Sequence, residues 1–148
     1  VAFTDLLSIN VVGAFVAARE VAQRATHGAS IVLIASMAYE GGDTNEPAAH
    51  YSASKGAIVS LTRQLAVEWA DRGIRVNAVS PGVIQTPMLR LIDDPAKAAA
   101  YLETGVPLGR FGTAAEVADA CLFLAGERAT YITGAILPVD GGAMQKSS

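Results

Sequence analysis

Tyr51-Ser52-Ala53-Ser54-Lys55 holds a phenol and an ammonium four residues apart. On a helix that spacing puts both side chains on one face. A phenol is a poor acid or base at neutral pH, its unperturbed pKa being about 10. A nearby cation favours the phenolate and moves that value down. The pair is therefore a plausible proton-transfer device, although an exposed tyrosine beside a solvated lysine has the same spacing. Ser36 follows the apolar run Ile31-Val32-Leu33-Ile34-Ala35, where a strand's carboxyl end would lie. Ligands bind at that end in open parallel sheets; a serine there also serves as a cap or turn former. Asn10 lies mid-helix among Leu6, Leu7, Gly13 and Ala14. It reads either as a satisfied core amide or as one that holds a water molecule or locally bends the helix. Pro81-Gly82 would end a strand and expose backbone groups able to recognise a planar amide, or would form a simple turn.

These residues need elements to carry them. Helical spacing of Leu6, Ile9, Gly13, Val16 and Ala17 predicts one long helix over 4–26, ended by Gly28. The run 31–35 has no polar alternation and predicts a central parallel strand covered on both faces. A glycine-rich loop follows at 40–47, then a helix over 48–71 closed by Gly73 and a strand over 74–79 broken by Pro81-Gly82. Residues 83–112 read as irregular, with a short helix near 94–103. Thr113 and Glu116 form a capping box opening a helix to about Ala125, with Gly126 beyond it and a last strand at 135–139. The alternation predicts an α/β fold of parallel strands with helices on both faces.

The 148 residues suit one domain, and 51% hydrophobic with 17% charged residues is enough to build a core. A net charge of −3 argues against a nucleic-acid surface. No apolar run reaches the roughly 18–20 residues that span a bilayer, and residues 1–10 carry no basic segment of a secretory leader. The single cysteine, Cys121, forms no internal disulfide, and no cysteine–histidine cluster suggests a metal site. The chain reads as soluble and cytoplasmic, with no membrane partner. Val1 is not a methionine, and a helical pattern is already running by 4–7.

Taken together, the motifs resemble the short-chain dehydrogenase/reductase family. The matching segments are Asn10-Val-Val-Gly13, Ile34-Ala-Ser36, Tyr51-Ser-Ala-Ser-Lys55, Arg75-Val-Asn-Ala-Val-Ser-Pro-Gly82, Arg110-Phe-Gly112, Tyr131-Ile-Thr-Gly134 and Val139-Asp-Gly-Gly142. The resemblance implies the carboxyl-terminal portion of a Rossmann-like doubly wound parallel sheet, with residues 1–148 as one partial domain. It implies hydride transfer between NAD or NADP and a small alcohol or carbonyl substrate. Tyr51 would be the general acid/base, and Lys55 would lower its pKa and bind the nicotinamide ribose. Ser36 would hold the substrate oxygen and Asn10 a water of a proton relay. Pro81, Gly82, Ile84 and Thr86 would lie against the nicotinamide carboxamide, and residues 87–108 would cover the substrate. Met37 and Met88 would line an apolar substrate pocket, or be ordinary packing. Tyr39 stands where many members have glycine, and with Glu40 either shapes an unusual pocket or lies on a solvated face. Assembly as a homo-oligomer, dimer or tetramer, would use residues 4–26, 48–72, 114–125 and 135–139. No glycine-rich G-x-x-x-G-x-G or G-x-G-x-x-G turn follows a strand here. The family's amino-terminal half is therefore expected on a missing segment or a separate chain. The competing expectation is a truncated member with a non-catalytic binding or structural role.

Overall fold

The computed structural model describes residues 2–41, 47–87, 89 and 93–145, and its helices and strands alternate as the sequence predicts. The first helical rod differs in two ways. It is interrupted: α1 (Phe3–Leu7) passes through a π turn (Ser8–Val12) into α2 (Gly13–Arg24). There the Gly13 N–H donates to Ser8 O, five residues back. The rod also stops at Arg24, with Ala25 extended at φ −69° and ψ 115°. Gly28 belongs to the next turn. Its φ is +83°, and a Cβ there would stand 2.6 Å from Gly73 O, so only glycine fits.

Strands β1 (Ala29–Ile34) and β2 (Ile74–Pro81) pair in parallel, joined by α3 (Ala49–Glu68). Beyond them come β3 (Ile84–Gln85), α4 (Pro95–Gly105), β4 (Gly112–Thr113), α5 (Ala114–Ala125) and β5 (Ile136–Val139). The sheet order is β1-β2-β5, and β3 pairs with β4 in a separate ribbon. Helices α4 and α5 both open on a side-chain cap, the one on α5 being the capping box expected from the sequence. Asp94 accepts the Lys97 N–H to open α4, and Thr113 and Glu116 form a reciprocal capping box on α5.

Alternation along the strands divides the two faces. Ile31, Leu33 and Ala35 with Ile74, Val76 and Ala78 pack into one core with Ala18 and Ala22 of α2 and Ile58, Val59, Leu65 and Ala66 of α3. On the other face Ser30 and Arg75 reach α5, both donating to Leu124 O. Arg75 also donates to Ala125 O and Gly126 O, serving as the cap of that helix. Asn77, fully buried, donates to Ile132 O at 2.9 Å and accepts the Ala135 N–H at 3.0 Å, which fixes the entry to β5.

Two expectations about the strands are corrected. The face carrying Ile31, Leu33 and Ala35 is buried, but on the opposite face Ile34 is 45% exposed. Its strand is an edge among the described residues, and the α5 contact covers only the Ser30 end. Pro81 does not break β2; it is the last strand residue and pairs with Val139. Even-numbered residues of β2 turn their N–H groups to β5, as Ala78 and Gly82 do. Pro81 therefore faces β1, whose paired register ends at Ile34 and Val79, and its missing N–H interrupts no ladder bond.

Candidate active site

Helix α3 runs from the carboxyl edge of the sheet back toward its amino edge, which places Tyr51 in its first turn beside the ends of β1 and β2. One turn later Lys55 lies with Nζ 5.6 Å from the Tyr51 ring centroid. The same ammonium donates to Ile34 O at 2.9 Å. That carbonyl points away from β2, because the neighbouring Ala35 N–H is the one bonded to Val79 O. Lys55 is half-buried, and burial lowers its pKa from the ordinary lysine value.

Ser36 follows directly in extended conformation, φ −168° and ψ 150°. Its Oγ accepts the Ala38 N–H at 3.3 Å and opens a single 3-10 turn, Met37–Tyr39. Met37 is half-buried in that turn. The Tyr39 hydroxyl donates to Glu40 Oε1 at 2.9 Å, and burial, then the Glu40 carboxylate, push its pKa up. Its donor is thus committed to an exposed neighbour, while the half-buried ring packs against the core. Residues 42–46 of this loop lie outside the described residues.

Asn10 occupies the middle of the π turn and is half-buried. Its Nδ2 donates to Ser54 Oγ at 3.1 Å, and Ser54 Oγ donates to Tyr51 O at 2.7 Å. The amide is therefore satisfied and also sits in a locally altered helix, combining two of the readings left open by its sequence context. Among the described residues no buried side-chain nitrogen or oxygen lacks a partner. Asn10, Ser54, Tyr51, Lys55 and the backbone of Ile34 thus form one connected group, with Ser36 two residues beyond that carbonyl.

Pro81 and Gly82 lie on the same sheet edge, one strand away. Gly82 extends the ladder by donating to Val139 O, and a Cβ on it would stand 2.7 Å from Asp140 Cα. Ile84 begins β3, and Thr86 O accepts the Leu89 N–H. No hydrogen bond joins Ile84 or Thr86 to the Tyr51 group among the described residues, and Met88 lies outside them. A separate cavity of about 480 Å³ opens off the end of β5 between Pro107, Leu108, Arg110 and Asp140, and no candidate catalytic side chain lines it. Ser54 and Asn77 carry roles that the sequence reading left unassigned. A small polar residue beside Lys55, one turn before the apolar Ile58 on the same face of the helix, was the available signal for Ser54.

Among the described residues no cluster of three or more His, Cys, Asp or Glu is placed to hold a metal ion, and no helix is long and apolar enough to cross a membrane.

A parallel sheet with a serine at one strand end and a tyrosine–lysine turn facing it defines a class of α/β proteins, and comparison with known proteins identifies which. The chain belongs to the short-chain dehydrogenase/reductase family; a family model described as enoyl-(acyl carrier protein) reductase matches residues 2–144. A galactitol 2-dehydrogenase (L-tagatose-forming) of Cereibacter sphaeroides is 46% identical over 143 residues, covering 93% of this chain and 55% of that protein. The structure of a 4-hydroxyisoleucine dehydrogenase mutant complexed with NADH and succinate superposes with a TM-score of 0.91 at 31% identity, over 99% of this chain and 60% of that one. A putative 2-deoxy-D-gluconate 3-dehydrogenase from Agrobacterium tumefaciens with bound NADP gives 0.77 at 39% identity, over 87% and 51%. The chain spans about half the length of most of these relatives. Their common fold is the Rossmann-like parallel sheet expected above.

Proposed function

We propose that this chain carries the proton-transferring part of an NAD(P)-dependent dehydrogenase or reductase acting on a small alcohol or ketone. The observation that carries the reading is the Lys55 ammonium, held by Ile34 O, beside the Tyr51 ring and two residues from Ser36. In alcohol oxidation Tyr51 takes the hydroxyl proton while the hydride leaves the carbinol carbon; in reduction the proton returns to the carbonyl oxygen. Ser36 Oγ hydrogen-bonds that oxygen and holds it against the phenol. When bound, NAD or NADP accepts or supplies the hydride.

The residues present fit the nicotinamide end of such a cofactor. An ammonium has three donors; one is used on Ile34 O, and two remain for a ribose diol. Pro81 ends β2 and Gly82, Ile84 and Thr86 follow it, where a carboxamide would lie, and Met37 would flank Ser36 on the substrate side. No glycine-rich turn for the pyrophosphate is among these 148 residues, so the roles assigned here stop at the ribose and nicotinamide. A homo-oligomer is part of the same reading, supported by exposed Ile9, Val12 and Val16 on the first helical rod. The non-catalytic alternative is not favoured, because Asn10, Ser54, Tyr51 and Lys55 are drawn into one connected group beside Ser36.

Replacing Tyr51 by phenylalanine tests the assignment. Among the described residues the hydroxyl has no hydrogen-bond partner, so the substitution removes a transferable proton and little stability. Turnover of the native protein, assayed by nicotinamide absorbance across a panel of polyols and ketones, falls roughly 10²–10⁴-fold. Unchanged turnover in a folded Tyr51→Phe variant refutes the proposal.

A further inference from the structure

We infer that Ser54 is a positioning residue, a directional hydrogen-bond relay that ties the π turn carrying Asn10 to the helical turn carrying Tyr51 and Lys55. The inference rests on the function proposed above and adds a residue to that machinery. Ser54 has no exposed surface. A hydroxyl owns one proton, and here it is spent on Tyr51 O at 2.7 Å. Toward Asn10 the oxygen can then only accept, which forces Asn10 to present Nδ2 rather than its carbonyl oxygen, as observed at 3.1 Å. The direction of the relay is thus fixed from amide N–H through hydroxyl to backbone carbonyl.

Both ends of the relay lie where local geometry is unusual. The π turn at Ser8–Val12 adds a residue to one turn of the rod, and each residue advances the side chains by about 100° around the axis. Asn10 occupies the middle of that turn and is held toward α3 by Ser54. At the other end, a serine hydroxyl bonded to a carbonyl in the preceding turn bends a helix slightly. The turn it bends is the one with Tyr51 at its start and Lys55 at its end. Ser54 therefore controls how the ring and the ammonium face one another while touching neither substrate nor cofactor.

The test is nuclear magnetic resonance on the isotope-labelled native protein. Two signals read the relay: the Tyr51 carbonyl carbon, and the displacement of the Lys55 ε-methylene protons by the Tyr51 ring, identified by its disappearance in Tyr51→Leu. Ser54→Ala moves the carbonyl resonance and diminishes the ring-induced displacement. Asn10→Asp keeps the shape but offers only acceptors. It draws the hydroxyl proton away from Tyr51 O and moves the carbonyl resonance the same way, which carries the test if Ser54→Ala does not fold. Val59→Ala, a destabilising truncation of a buried residue on the same helix, leaves both signals in place. Parental signals in both relay variants, or equal movement in Val59→Ala, overturn the inference. The readout does not depend on turnover, so that failure removes the relay alone, whereas full activity of Tyr51→Phe removes the functional proposal.

Discussion

Lys55→Met separates the two jobs assigned to the ammonium. Methionine matches the length of the stem and keeps its packing while removing the charge and all three donors. For stability the effects oppose one another. The bond to Ile34 O at 2.9 Å is lost, and a charged bond is worth about 1.5–3 kcal/mol. Against that, a half-buried ammonium whose pKa is already lowered by burial no longer has to be desolvated. The net change should be about 1 kcal/mol or less, a Tm shift of roughly 2–4 °C. Cofactor binding has no such compensation. Losing the charged contacts to a ribose diol removes about 1.5–3 kcal/mol, which weakens Kd by roughly 10- to 100-fold. Titrating NADH into the native protein and the variant, followed by nicotinamide fluorescence, reads the second effect, and calorimetry reads the first. The pH dependence carries a further sign. Because burial lowers the Lys55 pKa, rising pH discharges the group before ordinary lysines, so parental affinity falls on the alkaline side and that fall is absent in Lys55→Met. A variant Kd within about twofold of the parent would refute the reasoning, since that is less than 0.5 kcal/mol.

Asn77→Ala removes two buried hydrogen bonds and leaves the Ala135 N–H unmatched, costing about 3 kcal/mol and roughly 6–12 °C in Tm, measurable by urea and thermal unfolding. Gly82→Ala places a Cβ 2.7 Å from Asp140 Cα and forces the strand ends apart, destabilising by about 1–3 kcal/mol in the same assays. Glu116, held by Arg110 and by the Thr113 cap, has its pKa lowered to about 2. Its contribution is therefore complete above the unfolded value of about 4.3 and is lost as pH falls toward 2. Melts by circular dichroism should show a smaller acid loss in Glu116→Gln over that window.

The architecture was legible where periodicity and caps agree. The run 31–35 announces a strand, Thr113 with Glu116 announces a helix start, and both stand where expected. Tyr51 and Lys55 were legible because i,i+4 spacing fixes a shared face whatever surrounds it. The π turn was not, since leucine and valine spacing over 4–12 is the same for an α-helix with one residue of slack. Its marker, Asn10, was visible, but the partner that satisfies the amide comes from a helix 44 residues away. Pro81 misled for a related reason. A proline breaks a ladder only on the side where a neighbour exists, and the β1 register that decides this is a tertiary fact.

The central place of β2 has a consequence for the chain as it is made. Its first edge is filled by β1, which precedes it, but its second must wait for β5. The buried amide of Asn77 waits likewise for the Ala135 N–H, 58 residues later. At synthesis rates of about 5–20 residues per second that interval is roughly 3–12 s. During it a strand containing Val76, Ala78 and Val79 is open to any other extended chain, the situation that seeds misassembly. Arg75 and Asn77 interrupt that apolar run; Arg75 has no carbonyl partner until Leu124 has emerged, and Asn77 none until Ile132. The same two side chains that later lock α5 and β5 in place thus keep the unfinished sheet polar while it waits.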